Sequence, residues 1–459
     1  MTDNNNLLPN QHAVASDCLF NMKPSSVNGR SYRCSIPPTN ASSFSANSMI
    51  VLYVPARRNC FLDPQQTYLR MTVKNTDTTA SNFFFLDSLG SCFINRIDVF
   101  SGSNLLESIQ GYNILMNAIV DLNMNFASRC GASPMYGTSD IFTSNGYPRE
   151  GAKVSISNKL TVCIPIISGV IGMLTEKYLP LHGLADDIRI EISLEQNDLA
   201  VCYNANYGAG LGWSIINVEL EATIVELQND GMEMINSVTP FDQPIYLHSS
   251  TYRHFVSTLA ASQGQQTFLV PARFASLKSL WCLPRRSTEI ANILAYSLSS
   301  RANPMITNYY WRVGSLLIPQ KPVNLINSAT TGGYAEAYAE TMRAMHSLNN
   351  ASYGAGLTFS LYNVQDVADT AVGDGGTNYG CTAISAGATS YANGFIICQE
   401  LETFCQRGDV LLSGMNTLGS QIFFECNITT APTVTYTLDF YAYADIILVL
   451  ENGLLSVRY

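Results

Sequence analysis

The chain has 459 residues, of which 47% are hydrophobic and only 13% are charged, whereas an ordinary soluble domain has roughly 25% charged residues. At about 100 to 200 residues per domain, this length predicts two or three domains, each large enough to bury a core. The formal net charge of -10 disfavours direct genome packaging by this chain, because neutralising nucleic-acid phosphates requires an excess of Lys and Arg.

The first 45 residues are rich in Asn, Ser and Pro and contain few apolar pairs. We expect residues 1–45 to form an extended or flexible arm. Met1–Gln11 lacks a basic segment followed by an apolar one, so we expect no secretory signal and synthesis in the cytosol. The longest apolar stretch, Val162–Leu174, is shorter than the roughly 20 residues of a membrane span and is broken by Pro165, so no transmembrane helix is predicted.

Strand-like segments recur along almost the whole chain after the arm. They are short, rich in β-branched and aromatic residues, and separated by Gly, Asn, Ser and Pro. Several alternate with period two, as antiparallel strands with one solvent-exposed face do. The clearest are Met49–Val54, Tyr68–Val73, Phe93–Phe100, Leu160–Ile167, Ile188–Leu194, Ile215–Leu227, Gln266–Val270, Leu277–Leu283, Ile422–Cys426 and Val434–Leu450.

Two segments have helical periodicity. In Leu105–Leu122, apolar residues recur at intervals of three and four, and Asn104 with Glu107 resembles a capping box. Tyr334–Leu348 has the same spacing. Two helices among many strands do not supply the crossovers of a parallel sheet, so the predicted class is all-β with helical insertions.

The segment Gln228–Pro244 divides the strand-rich region into two parts, each of a size that suits one elaborated β-sandwich. The predicted domains are residues 46–235 and 236–459, after the arm. Residues 203–212, 324–333 and 372–393 are rich in Gly, Ser, Thr and Asn, which predicts exposed loops that carry contacts.

The twelve cysteines are scattered singly, without a CxxC pair. Together with the missing signal, this favours reduced thiols, buried as small hydrophobic groups, over disulfides or a zinc site.

Candidate chemistry is sparse. The sequence has no GxxxxGK[ST], HExxH or GxSxG motif. It therefore gives no motif support for a P-loop NTPase, a zinc metalloprotease or a serine hydrolase of the α/β-hydrolase type. His248 and His254 are six residues apart and cannot clamp one ion from a strand without curvature of the chain. Asp186 and Asp187, near Glu176, suit turn and surface roles better than calcium binding or acid–base catalysis, since adjacent strand residues point to opposite faces.

The run Tyr309–Arg312 could stack on bases or sugars, but such runs in β proteins more often pack in cores or between subunits. We therefore predict no catalytic, cofactor-binding or metal-binding residues, and no enzymatic activity.

The order of several segments resembles the double jelly-roll major capsid proteins of icosahedral DNA viruses, particularly those of polinton-like and adintovirus-like viruses. The resemblance covers most of the chain from Met49, and the stretch Asn95–Glu107 is its most specific part. The other segments are Phe61–Leu69, Ser276–Arg285, Tyr310–Pro319 with the following helix, Leu401–Phe404, Ser413–Thr417 and Ala444–Gly453.

This resemblance implies two eight-stranded jelly-roll sandwiches side by side, and a structural protein that assembles as a pseudo-hexagonal homotrimer into an icosahedral virion shell around DNA. Low charge and abundant Tyr and Phe suit the large apolar contacts of such an assembly. The implied partners are further copies of the chain, penton proteins and minor capsid proteins, without sequence-specific nucleic-acid binding. The resemblance leaves an internal membrane undecided.

Two alternatives remain open from the sequence. A soluble carbohydrate-binding β-sandwich would need an aromatic platform, for which Trp213, Trp281 and Trp311 are the candidates, with paired carboxylates beside it if it also cleaved sugars. A penton or fibre-knob protein would be a minor virion component. Pentons usually need one jelly roll, whereas both halves here have the length and pattern of complete sandwiches.

Overall fold

The structure is a computed structural model, which describes residues 26–78, 82–138, 151–156, 158–203, 212–238, 243–290, 292–293, 296–325, 334–348, 357, 362, 364–365, 379–380, 393–404 and 412–459. Of the loops predicted above, residues 204–211 and 326–333 and most of 372–393 lie outside the described residues, as do residues 1–25.

The first half of the chain is built mainly from strands. Their bounds are β1 Gly29–Ile36, β2 Ser43–Ser45, β3 Met49–Val54, β4 Cys60–Asn75, β5 Phe83–Leu86, β6 Ile94–Ser101, β7 Asn104–Gln110, β8 Lys153–Ser155, β9 Lys159–Pro165, β10 Leu179–Pro180, β11 Ile188–Leu194, β12 Val201–Tyr203 and β13 Trp213–Leu227.

The second half follows the same plan. Its strands are β14 Ile245–Leu259, β15 Gly264–Val270, β16 Leu277–Arg286, β17 Ser300–Arg301, β18 Ile306–Val313, β19 Leu316–Asn324, β20 Val364–Gln365, β21 Tyr379–Gly380, β22 Asn393–Gly394, β23 Ile397–Glu400, β24 Ile422–Ile428, β25 Tyr436–Glu451 and β26 Leu454–Arg458.

Helices are short and lie between strands. They are α1 Tyr112–Asn123, α2 Phe126–Gly131, α3 Ser133–Tyr136, α4 Asn197–Ala200, α5 Asn229–Val238 and α6 Ala335–Ala344, with single 3-10 turns at Gly90–Phe93 and Leu181–Gly183. None of these helices is both long and apolar enough to cross a membrane.

Each half forms two facing sheets with the same connectivity. In the first half one sheet runs β1-β13-β4 with β9 also beside β4, and the other runs β3-β11-β6-β7. In the second half the corresponding sheets are β14-β25-β16 with β23, and β15-β24-β18-β19. Numbered from one to eight along the chain, the strands of each half have the order 1-8-3-6 and 2-7-4-5. This is the eight-stranded Greek-key arrangement of a jelly roll, which confirms the predicted fold class.

The core of each jelly roll comes from the alternating residues of its strands. In β11 every second residue from Ile188 to Leu194 is buried, as period-two burial requires. Trp213 packs against Phe93 at 4.7 Å between ring centroids, and Trp311 packs against Phe424 at 4.9 Å. The strongest predicted strands, Met49–Val54 and Ile188–Leu194, have the predicted bounds.

The helix predicted at Leu105–Leu122 is wrong in its first third. Residues Asn104–Gln110 form β7, which pairs with β6 across a tight turn at Gly102, where φ is +57°. The helix begins only at Tyr112, after Gly111 in the left-handed region. Asn104 and Glu107 therefore form no capping box, because cross-strand pairing overrides the local helical spacing. The second predicted helix is confirmed as α6.

The predicted arm also differs from the structure at its C-terminal end. β1 pairs with β13 from Gly29 to Ile36, and β2 pairs with the start of the same strand. Residues 29–36 thus supply the first strand of the first jelly roll, although their polar residues resemble an unpaired tail; most of those polar side chains point to solvent from a sheet edge.

Candidate functional site at the junction of the two halves

The two jelly rolls meet along a junction that contains buried carboxylates. Glu107 on β7 accepts hydrogen bonds from Ser168 Oγ, from the N–H of Gly169 at 3.0 Å, and from Thr251 Oγ1 at 2.5 Å. Thr251 belongs to the second half, so one carboxylate joins both. Burial raises the pKa of Glu107, and its hydroxyl and amide donors partly offset that rise.

Asp87, directly after β5, makes a second link of the same kind. Its two oxygens accept the N–H of Leu298 at 2.6 Å and Ser299 Oγ at 2.7 Å, both from the second half. Burial raises the pKa of Asp87 to about 6, although these donors and Arg285 lower it. Here a carboxylate of the first half satisfies a backbone donor and a hydroxyl donor of the second.

Asp121 on α1 is the anionic centre of the junction. It binds Arg129 of the first half at 2.7 Å and Arg301 of the second half. The Arg301 side chain is fully buried, and a buried guanidinium requires a paired carboxylate because desolvation of the charge is costly. The pair therefore fixes how the two jelly rolls are oriented against each other.

Tyrosine hydroxyls complete the junction. Tyr441 donates to the carbonyl of Gly111 at 2.8 Å, and Tyr459 donates to the carbonyl of Leu106 at 3.0 Å. A Cβ added at Gly111 would lie 2.6 Å from the Tyr441 hydroxyl oxygen, so a residue without a side chain is required there.

A cleft of about 530 Å³ lies beside this contact, and both halves line it. His254 in its wall stacks on Tyr441 and lies 2.9 Å from Asp439 through Nε2, while Arg285 donates to the other oxygen of Asp439 at 2.6 Å. Burial alone would raise the pKa of Asp439, but Arg285 and His254 outweigh it and hold that pKa below its usual range. His254 thus belongs to a hydrogen-bond network with Asp439 and Arg285 in the wall of the cleft.

The other sequence candidates are dispersed. His248 lies 3.3 Å from Asp445 and, like His254, has a carboxylate of its own, so the two histidines share no site. Asp186 and Asp187 are exposed, and Asp187 accepts the backbone N–H of Ala56 at 2.9 Å, as a turn residue does.

The aromatic candidates are divided between core and surface. Tyr309 and Trp311 are buried, whereas Tyr310 and Arg312 on the opposite face of β18 both bind Glu425. Trp213 and Trp281 are buried as well. None of the three tryptophans of the chain is available as an exposed sugar platform.

Sequence reasoning did not identify Asp87 and Asp121 as site residues, and it assigned Glu107 to a capping box. The available signal was position: each carboxylate interrupts an apolar segment of a chain that contains few charges, and such a residue is buried only with a partner. None of the nine cysteines in the described part of the chain is paired in a disulfide bond, and six of them are buried, which agrees with the interpretation of their spacing.

Comparisons with known proteins bear on the fold. No protein-family model matches the sequence of this chain, and no curated protein matches it in sequence. The capsid of the virus PBCV-1 contains a chain with a TM-score of 0.61 and 9% identity, over 96% of this chain and 98% of that one. This protein, like that capsid chain, has the double jelly-roll fold.

Two further solved structures share the double jelly roll over nearly their whole length. A chain of the Sputnik virophage is 14% identical, with a TM-score of 0.57 over 98% of this chain and 93% of that one. The mavirus major capsid protein is 10% identical, with a TM-score of 0.53 over 99% of this chain and 97% of that one. The structural neighbours of this double jelly roll are viral major capsid proteins.

Proposed function

We propose that this chain is a major capsid protein of an icosahedral DNA virus, of the polinton-like or adintovirus-like kind, and that it assembles as pseudo-hexagonal homotrimers. The observation that carries the proposal is the match of both jelly rolls, over almost the entire length, to capsid chains. Three copies of two similar lobes give six lobes, which tile a shell in a roughly hexagonal pattern.

The junction supports this role. A shell tile transmits load between its neighbours, so its two lobes must keep one relative orientation. The buried Asp121–Arg301 pair and the Glu107–Thr251 and Asp87–Ser299 bonds hold that orientation at three separate points, because separating buried polar groups from their partners is costly.

An edge strand offers a surface for contacts between copies. β19 lies at the end of its sheet and exposes Leu316 and Leu317. Pro319 and Lys321 in the same strand hinder strand addition, as edge residues commonly do. Contacts along β19 would therefore be made by side chains, which suits a closed assembly better than open-ended sheet growth.

The same geometry argues for a structural protein rather than an enzyme. The sequence alternative of a carbohydrate-binding sandwich loses its platform because all three tryptophans are in the core. The alternative of a penton or fibre knob needs a single lobe. We propose that the partners of the chain are its own copies, penton proteins and minor capsid proteins within the virion, and that its acidity leaves DNA condensation to other molecules.

Native mass spectrometry and negative-stain imaging of the purified chain test this function. With a chain mass of 50.2 kDa, a trimer of about 150 kDa with a hexagonal outline is expected for a closed cyclic assembly. A stable monomer at high concentration would contradict the proposal, and a five-fold assembly would favour a penton.

A further inference from the structure

A histidine and two glutamates come together on the second jelly roll, away from the junction. His346 follows the C-terminal end of α6, Glu400 ends β23, and Glu402 lies two residues further on. One coordinating atom from each residue lies within 4.8 Å of those of the other two. His346 Nε2 is 3.8 Å from Glu400 Oε2 and 3.7 Å from Glu402 Oε2.

Only one of the two oxygens of the Glu400 carboxylate accepts hydrogen bonds. Oε1 accepts the N–H groups of Leu401 and Glu402 at 2.9 and 2.7 Å. Oε2 has no hydrogen-bond partner, although the side chain is only 1% exposed. A buried carboxylate oxygen without a partner is costly, and it faces the imidazole and the second glutamate. The Glu400 Oε2 atom is therefore available to a cation at that point.

The surrounding charges leave room for a cation. Lys278 binds Oε1 of Glu402 at 2.8 Å and lies 3.6 Å from Asp445, which leaves Oε2 of Glu402 directed toward His346. Lys278 thus divides its charge between the carboxylates of Glu402 and Asp445, and no ion pair joins Lys278 to Glu400 among the residues that the structure describes. The excess of negative charge favours a divalent ion over a monovalent one.

The geometry points to a divalent transition-metal site, of the zinc class, formed by His346, Glu400 and Glu402. Bonds of about 2.0 to 2.2 Å to nitrogen and oxygen place tetrahedral ligands roughly 3.4 Å apart, so the two separations from His346, 3.8 and 3.7 Å, need to contract by only a few tenths of an ångström. An imidazole among the ligands selects zinc-like ions over magnesium and calcium. His346 is 31% exposed, which gives the ion a path in and leaves a position for water.

The bound ion would fasten the end of α6 to β23, and this inference does not depend on the proposed function.

Isothermal titration with ZnCl₂ tests the site in untagged protein freed of metal and kept reduced. We expect one ion per chain. Glu400→Gln and His346→Asn should each weaken binding at least about a hundredfold, since even outer-shell changes cost ten- to a hundredfold. Asn is chosen because His346 has φ of +54°, a conformation that Asn adopts readily. Glu340→Gln is the matched control: Glu340 on α6 binds Gln399 at 3.2 Å and should leave affinity unchanged.

Co²⁺ serves as a second probe, since its visible absorption distinguishes nitrogen and oxygen ligands from thiolates. A spectrum without thiolate bands that is lost in His346→Asn supports the site. Zinc binding that survives both variants would place the ion elsewhere, and no binding at millimolar zinc would mean that the two carboxylates share a proton instead. Either result overturns the inference. If Glu400→Gln does not fold, the partly exposed His346 variant decides the question alone.

Discussion

Removing the Asp121 carboxylate should destabilise the whole molecule through two arginines at once. Asp121→Ala leaves Arg301, which is fully buried, and Arg129, whose side chain is 6% exposed, without this partner. Breaking a buried ion pair from one side costs about 3 to 5 kcal/mol, because the remaining charge stays desolvated. Ala has a better helix propensity than Asp, and in α1 this restores less than about 0.7 kcal/mol of the lost free energy of unfolding.

The expected change in melting temperature follows from the size of the unfolding unit. With an unfolding entropy of about 2.1 cal/mol/K per residue, the chain as one cooperative unit gives roughly 1 kcal/mol/K, and the loss is about 3 to 5 °C. If one jelly roll unfolds alone, the entropy is about half as large, and the loss is about 6 to 10 °C. Differential scanning calorimetry measures both the shift and the number of transitions.

A surface ion pair provides the control for Asp121→Ala. Arg30 binds Glu226 at 2.8 Å, but its side chain is 73% exposed, so Arg30→Ala should change the melting temperature by less than about 1 °C. Equal melting temperatures for Asp121→Ala and Arg30→Ala would refute the view that the junction depends on its buried charges.

Three further predictions concern the junction. The pKa of Asp87 is raised to about 6 from 3.8, so the folded protein binds an extra proton between these values. Its free energy of unfolding should therefore fall by about 2 kcal/mol relative to Asp87→Asn as the pH rises from 4 to 6; a difference between the two proteins that stays constant across this range in urea unfolding would disprove it. Tyr441→Phe removes the hydrogen bond to Gly111 and should cost about 1 to 3 kcal/mol in urea unfolding, since the buried carbonyl loses a donor. Gly111→Ala should cost more than Tyr441→Phe, because it combines a close contact with strain at φ of +59°; a smaller loss would show that the backbone there relaxes freely.

Sequence patterns predicted the strands best where burial alternates with period two. Met49–Val54 and Ile188–Leu194 have such patterns and form strands with those bounds. The pattern of Leu105–Gln110 fitted a helix equally well, and only pairing with β6, together with the turn at Gly102, decides for a strand. That decision depends on contacts between segments, which local spacing does not encode.

The contacts at the junction could not be predicted from the sequence for the same reason. The donors of Glu107 come from Ser168, Gly169 and Thr251, which are 61 to 144 residues away. The cluster at His346 joins residues more than 50 positions apart in the numbering. Sequence spacing indicates a metal site only when ligands are neighbours on one element, as in HExxH motifs, and these ligands come from a helix end, a strand end and a loop.

The pairing of first and last strands governs when each jelly roll can close during synthesis. β1 pairs with β13, and β14 pairs with β25 along fifteen residue pairs, so neither sandwich is complete until its final strand has left the ribosome. Until the second half is made, Glu107, Asp87 and Asp121 lack the partners that Thr251, Ser299 and Arg301 supply in the complete chain. A chain that ends before the second half therefore leaves these carboxylates without the contacts that they make at the junction of the complete protein.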